Sequence, residues 1–178
     1  ISLLSLPFII SFLKPYQKLR VLTFLNPDRD PLGAGYQIIQ SKIAVGSGGI
    51  FGKGFLQGTQ SYLEFLPEKH TDFIFTLFSE EFGFLGSVLL LLLYALIIYR
   101  VIKIGVISRS YFAKLFCYSF GASLFVYIFI NMSMVLGLLP IVGSPLPIMS
   151  YGGSSMLATM IGFGIVMSAK IHSKQSIA

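Results

Sequence analysis

The stretch LFCYSFGASLFVYIFINMSMVLGLLPIVGSPLPIMSYGGSSMLATMIGFGIVMSA, residues 115–169, holds no charged side chain. It is bounded by Lys114 and Lys170. A helix rises about 1.5 Å per residue, so this stretch as one helix would be more than twice as long as the ~30 Å core of a bilayer is thick. Pro140, Pro145 and Pro147 divide it, because proline lacks a backbone donor and clashes in a helix interior. Two membrane spans result, at about 115–139 and 150–169. Upstream, residues 82–99 are also uncharged, and the pattern extends this span back to about Asp72, giving 72–99. A fourth apolar segment, 36–51, is rich in glycine and carries Lys42 in its middle. Residues 1–13 are uncharged but too short to cross, and read as the remnant of a preceding span. They lack the basic flank and small-residue cleavage site of a signal peptide.

Composition agrees with this reading. Of 178 residues, 54% are hydrophobic and 11% charged, with a mean hydropathy of +0.81. Soluble domains average about 25% charged residues, so an ordinary soluble enzyme is excluded. Low charge with many aromatics also excludes disorder. Cys117 is alone, which excludes a disulfide framework. The net charge of +6 does not indicate a nucleic-acid partner, because the basic residues are dispersed between apolar runs. The fold class expected is an all-α polytopic membrane protein, one unit over 1–178. It has four spans after the remnant, a glycine-broken helix and a long external loop at 52–71.

The loop charges orient it. Lys14, Lys18, Arg20 and Arg29 fall in 14–30; Arg100, Lys103, Arg109 and Lys114 in 100–114; Lys170 and Lys174 in the tail. The alternate loops, 52–71 and 140–149, hold only Lys53 and Lys69. The positive-inside rule assigns the basic loops and the C-terminus to the cytoplasm and the other two loops to the outer face.

Segment 36–51 is a poor lipid-facing helix. Gly33, Gly35, Gly46, Gly48, Gly49, Gly52, Gly54 and Gly58 surround or interrupt it, and Lys42 is costly against lipid. It reads as a broken helix lining a polar groove, with a snorkelling lysine on a tightly packed span as the plainer alternative. It is no phosphate-binding loop: Ser47 stands where a P-loop needs its first glycine, and Gly54 follows Lys53. The loop GTQSYLEFLPEKHTDF, residues 58–73, gathers Glu64, Glu68, Lys69, His70 and Asp72 among apolar side chains. Thr71 is placed to cap the next helix, with Asp72 in its first turn. Asp72, Thr76, Ser79, Gly83 and Gly86 recur on one face, which must look into the bundle. Glu80 and Glu81 lie two turns into the same helix, with Lys42 or a residue of the N-terminal spans as their expected partner. One histidine with scattered carboxylates is not a zinc motif, although a loosely held Mg²⁺ or Mn²⁺ shared with phosphates needs no more.

Several blocks resemble the SEDS family of bacterial cell-wall polymerases, the RodA/FtsW/SpoVE proteins. They are YQKLRVLTFLNPDRDPLGAGYQIIQSKIAVGSGG (16–49), GKGFLQGTQSYLEFLPEKHTDFIF (52–75), EEFGFLG (80–86), and 131–155 ending PLPIMSYGGSS. QSKIA, GTQS and LEFLPE look most like RodA, the elongation branch. Ser144 departs from the family, which usually has an apolar residue there. The family has about ten spans, so the chain resembles its C-terminal portion.

The resemblance implies a peptidoglycan glycosyltransferase that polymerises lipid II on the outer face of the inner membrane. It implies Asp72 as the catalytic residue, a general base on the acceptor sugar hydroxyl. Lys42, Lys53, Lys69 and a divalent cation (Mg²⁺ or Mn²⁺) become candidates to meet pyrophosphate charge. Glu64, Glu68 and His70 join them as candidates to shape the loop, bind substrate or hold metal; the metal ligands are not fixed by the sequence. The implied partners are lipid II, membrane lipid and a class B penicillin-binding protein. Two other functions fit the same features. A lipid II flippase would use a broken helix and buried charges as a path, and a non-catalytic scaffold would need neither; both would tolerate loss of the Asp72 carboxylate better than a polymerase.

Overall fold

The computed structural model describes residues 15–26, 33–58 and 71–173. The described residues form helices and turns: α1 (Pro15–Leu25), α2 (Ala34–Ser47), α3 (Ile74–Ile107), α4 (Tyr111–Val135) and α5 (Gly153–Ile171). The fold is all-α, as expected. Helices α3, α4 and α5 are long and apolar enough to cross a membrane. Leu89, Leu92, Leu93, Leu96, Phe125, Phe129, Leu157 and Ile161 point outward from them, as lipid-facing side chains do. The presumed remnant span at 1–13 lies outside the described residues.

Helix α3 is not straight. Gly83 has φ 66° and ψ −163°, a conformation essentially confined to glycine. Ser79 and Ser87, eight residues apart, would be separated by about 12 Å of rise along a straight helix. Their hydroxyls are 3.3 Å apart. The short arm, residues 74–82, therefore folds back beside the long arm, residues 84–107. The expected span at 72–99 is thus two helical pieces, and its apolar piece continues to Ile107.

A reversal in mid-helix strands backbone groups on both sides, and each needs a partner away from water. Residues 49–54 supply four. Lys53 and Gly54 N–H donate to the Glu80 and Glu81 carbonyls at 3.0 Å each, while Phe84 and Leu85 N–H donate to the Gly49 and Ile50 carbonyls at 2.9 and 3.1 Å. Gly52 and Gly83 pass so closely that a Cβ on either would run into the other's backbone. The glycines read as a broken span thus serve a turn that completes a break in the next helix.

The long arm of α3 and α4 form an antiparallel pair. Gly105 lies against Cys117, and Gly121 against Val101 and Ile102, so small residues let the helices approach. One core cluster joins Phe73, Phe75, Tyr94, Ile128, Met132, Met134, Val135 and Leu146; a second, toward the other end, joins Val101, Cys117 and Val166.

Helix α2, with 14 residues, is about 21 Å long and shorter than a bilayer core. It packs by the end of α4, where Ser41 Oγ donates to the Val135 carbonyl at 2.9 Å. Helix α1 lies at the same end, with the Arg20 guanidinium 3.4 Å from the Val142 carbonyl. This corrects the assignment of 14–30 and 140–149 to opposite faces. The 14–30 stretch contains a helix, and Arg20 on it meets a backbone carbonyl of the 140–149 segment. Arg109 N–H donates to the Ser173 carbonyl at the far end, closing the α3–α4 turn onto the end of α5.

Candidate functional site

Asp72 sits in the turn 71–73, ahead of α3 rather than in its first turn. Helix α3 starts at Ile74, with Phe73 rather than Thr71 in the N-cap position and making no side-chain cap. The cause is competition for carbonyls. The Thr71 carbonyl accepts from Ser150 Oγ at 2.6 Å, and the Asp72 carbonyl from Asn131 Nδ2 at 2.8 Å. Thr76 N–H turns instead to the Phe73 carbonyl at 2.9 Å. Phe73, 1% exposed, anchors the turn in the core.

The 140–150 segment forms the platform facing this turn. Asn131 Nδ2 also donates to the Ser144 carbonyl at 2.7 Å, so one fully buried amide ties Asp72 to the segment. Ser150 Oγ accepts from Leu146 N–H at 2.7 Å, and Tyr94 Oη donates to the Pro147 carbonyl at 2.6 Å. A Cβ on Gly143 would stand 3.2 Å from Asp72 Oδ2, so the carboxylate rests over a bare backbone. Ile148, with φ 70°, is a β-branched residue in a left-handed conformation and marks strain beside the site.

Lys53 forms an ion pair with Glu80, Nζ to Oε1 at 2.7 Å. The expected partner of Glu80, Lys42, is corrected by this geometry. Residues 49–54 must reach the Gly83 break to satisfy its backbone, and they bring Lys53 with them. Lys42 is exposed, and its side chain packs over Gly137 at the carbonyl end of α4, a favourable place for a cation. The expected inward stripe is seen at Thr76, Ser79 and Gly83, all buried; after the fold-back its inward place passes from Gly86 to buried Ser87. Glu64, Glu68, Lys69 and His70 lie outside the described residues. Among the described residues, no three His, Cys, Asp or Glu side chains gather to hold a metal.

Sequence reasoning missed Asn131 and Ser150. Asn131 is the one asparagine in 115–169, and a polar amide inside an apolar span is a signal of buried hydrogen bonding. Its partners, two backbone carbonyls, leave no trace in a residue pattern.

The family described as cell cycle protein, FtsW/RodA/SpoVE, matches residues 1–175. The chain is 55% identical over 159 residues to the peptidoglycan glycosyltransferase MrdB of Escherichia coli K12, covering 89% of this chain and 43% of that protein. It is 45% identical to the peptidoglycan glycosyltransferase RodA of Treponema pallidum, covering 89% and 37%. Among solved structures, a chain of a peptidoglycan synthase complex described as coordinating polymerization and crosslinking superposes with a TM-score of 0.70 at 37% identity, covering 98% of this chain and 50% of that one. An Asp-to-Ala mutant of the rod shape determining protein RodA from Thermus thermophilus gives 0.58 at 34%, covering 71% and 39%. The chain spans about half or less of the length of these relatives. It is a multi-pass membrane protein by its apolar helices, and it belongs to the FtsW/RodA/SpoVE cell cycle protein family.

Proposed function

We propose that the full protein containing this chain is a peptidoglycan glycosyltransferase that polymerises lipid II during cell elongation. The observation that carries this reading is the mounting of Asp72: a half-buried carboxylate over Gly143, on a turn clamped by Asn131 and Ser150. Relatives bearing the name peptidoglycan glycosyltransferase support it. The reading requires the Asp72 end to face outward, where glycan strands are built.

Asp72 acts as general base. It takes the proton of the acceptor sugar hydroxyl, whose oxygen attacks the donor anomeric carbon. The bond from that carbon to the pyrophosphate oxygen breaks, and undecaprenyl pyrophosphate leaves. Asn131 and Ser150 hold the base in place, and a pre-set base avoids reorganisation at the moment of reaction. A divalent cation such as Mg²⁺ or Mn²⁺ fits the donor chemistry here. Around Asp72 the Asn131 Oδ1 and Ser144 Oγ atoms are buried without a hydrogen-bond partner, and all are hard oxygen donors. When bound, such a cation neutralises charge on the pyrophosphate. Of the two described candidate lysines, Lys42 is exposed, whereas Lys53 is engaged by Glu80. Lys69, Glu64, Glu68 and His70 complete the proposed substrate-binding set. The partner proposed is a class B penicillin-binding protein, a reading supported by likeness to a chain of a synthase complex.

The test is polymerisation of labelled lipid II by the full-length protein with its penicillin-binding partner. Wild type, Asp72→Ala and Asp72→Asn are compared at equal expression. Polymer from wild type and none from either variant is the expected result. Polymer from all three removes Asp72 from catalysis. No polymer from any, with the partner bound, transfers the reading to a flippase or a scaffold.

A further inference from the structure

The end of the bundle opposite Asp72 contains a cavity of about 140 Å³. It lies between the α3–α4 turn, the first turn of α4 and the last turn of α5. Ser108, Ser110, Ser168 and His172 line it, with Phe112 and Ile165 as apolar wall. Ser108 is 4% exposed, and its hydroxyl has no hydrogen-bond partner. A buried hydroxyl without a partner is uncommon, and each case calls for a ligand or water. Ser110 is the N-cap of the 25-residue α4, yet makes no side-chain capping bond. The first-turn N–H groups of α4 therefore keep their attraction for an anion.

The carbonyl ends of α3 and α5 reach the same region, and three of their carbonyls are engaged. Ser108 N–H donates to Ile104, His172 N–H to Ser168 and Ser173 N–H to Lys170, each to the backbone carbonyl. His172 Nδ1 lies 3.0 Å from the Ser168 carbonyl, so it acts there as a donor. The charges at this end have one sign. Arg109 and Lys114 flank the α4 N-terminus and Lys170 lies in the last turn of α5, while no Asp or Glu follows Glu81 in the sequence. A cavity with a buried free hydroxyl, an uncapped helix N-terminus and basic neighbours selects a phosphate. Its position at the ends of membrane-spanning helices, beside apolar wall, selects a phosphate carried on a lipid.

We infer that this cavity binds the phosphate of an anionic phospholipid headgroup, received by Ser108, Ser110 and the N-terminus of α4 under the attraction of Arg109 and Lys114. The site is independent of the chemistry at Asp72.

Native mass spectrometry of the full-length protein, titrated with phosphatidylglycerol and separately with phosphatidylcholine, reads the binding. Wild type is expected to prefer phosphatidylglycerol at least 5-fold. Ser108→Ala and the double variant Arg109→Gln/Lys114→Gln are each expected to lose that preference, with phosphatidylcholine binding unchanged. The double variant alters side chains that are not fully buried, so it carries the test if Ser108→Ala fails to fold. Unchanged preference in the double variant overturns the inference. Equal loss of both lipids overturns it also, as does displacement of phosphatidylglycerol by millimolar inorganic phosphate, which would make the cavity a free-anion site.

Discussion

Lys53 Nζ and Glu80 Oε1 stand 2.7 Å apart, with the carboxylate fully buried and the lysine side chain 27% exposed. The asymmetry predicts unequal effects of breaking the pair. Lys53→Met leaves a buried carboxylate without its cation and is expected to cost about 3 kcal/mol. Glu80→Gln leaves a lysine that can turn to water and is expected to cost about 1 kcal/mol. Thermal unfolding of the full-length protein in detergent measures both. Equal losses would mean that the pair acts as an ordinary surface contact.

Gly83 is the hinge on which the short arm of α3 folds back. Gly83→Ala adds a Cβ in a conformation that only glycine tolerates and drives it into the Gly52 N–H and the Ile50 carbonyl. A loss of about 3 kcal/mol or more is expected, read as a fall in folded yield and in melting temperature. Near-wild-type stability would mean that the arm does not fold back as the Ser79–Ser87 bond requires.

Asn131 and Ser144 meet across one hydrogen bond and predict opposite outcomes. Asn131→Asp keeps shape but removes the donor shared by the Asp72 and Ser144 carbonyls. It is expected to lower kcat far more than it raises KM, because the base is displaced while substrate contacts remain. Ser144→Val removes a buried hydroxyl that has no partner, and the bond to Asn131 uses only the backbone carbonyl. Its stability is expected to be unchanged or raised by up to about 1 kcal/mol. Lipid II polymerisation kinetics and thermal unfolding distinguish the two. A destabilised Ser144→Val would show that its hydroxyl has a partner after all.

These relationships mark what could be read in the residues. The apolar runs and the prolines at 140, 145 and 147 disclosed the helical membrane class, because charge-free length has few other physical uses. The Asp72–Thr76–Ser79–Gly83 stripe disclosed the inward face of the short arm. The fold-back was hidden, because Gly83 in a helical pattern looks the same whether the helix passes through it or reverses. The glycines at 46–54 were visible, but their use was not, since the groups they serve are the backbone atoms of Glu80, Glu81, Phe84 and Leu85. Positive charge at Lys18 and Arg20 argued for a cytoplasmic loop, a rule that counts charges and cannot see Arg20 reach the Val142 carbonyl. The Asn131 clamp also depends on backbone acceptors, and only the oddity of an amide in an apolar run signalled it.

Gly143 and Gly49 separate backbone strain from interference with the base. Both have positive φ, 75° and 56°, so alanine is strained at either. A Cβ at Gly49 meets nothing within 4 Å, whereas one at Gly143 stands 3.2 Å from Asp72 Oδ2. Stability should therefore fall by a similar amount in the two variants, about 1 kcal/mol each. Activity should not. Gly143→Ala must push the carboxylate aside, and a misplacement approaching 1 Å can cost about 100-fold in rate. A fall of at least about 10-fold in kcat is expected for Gly143→Ala, against little change for Gly49→Ala, in lipid II polymerisation at equal folded protein. If both variants lose activity in proportion to their stability, the carboxylate over Gly143 is not the catalytic group.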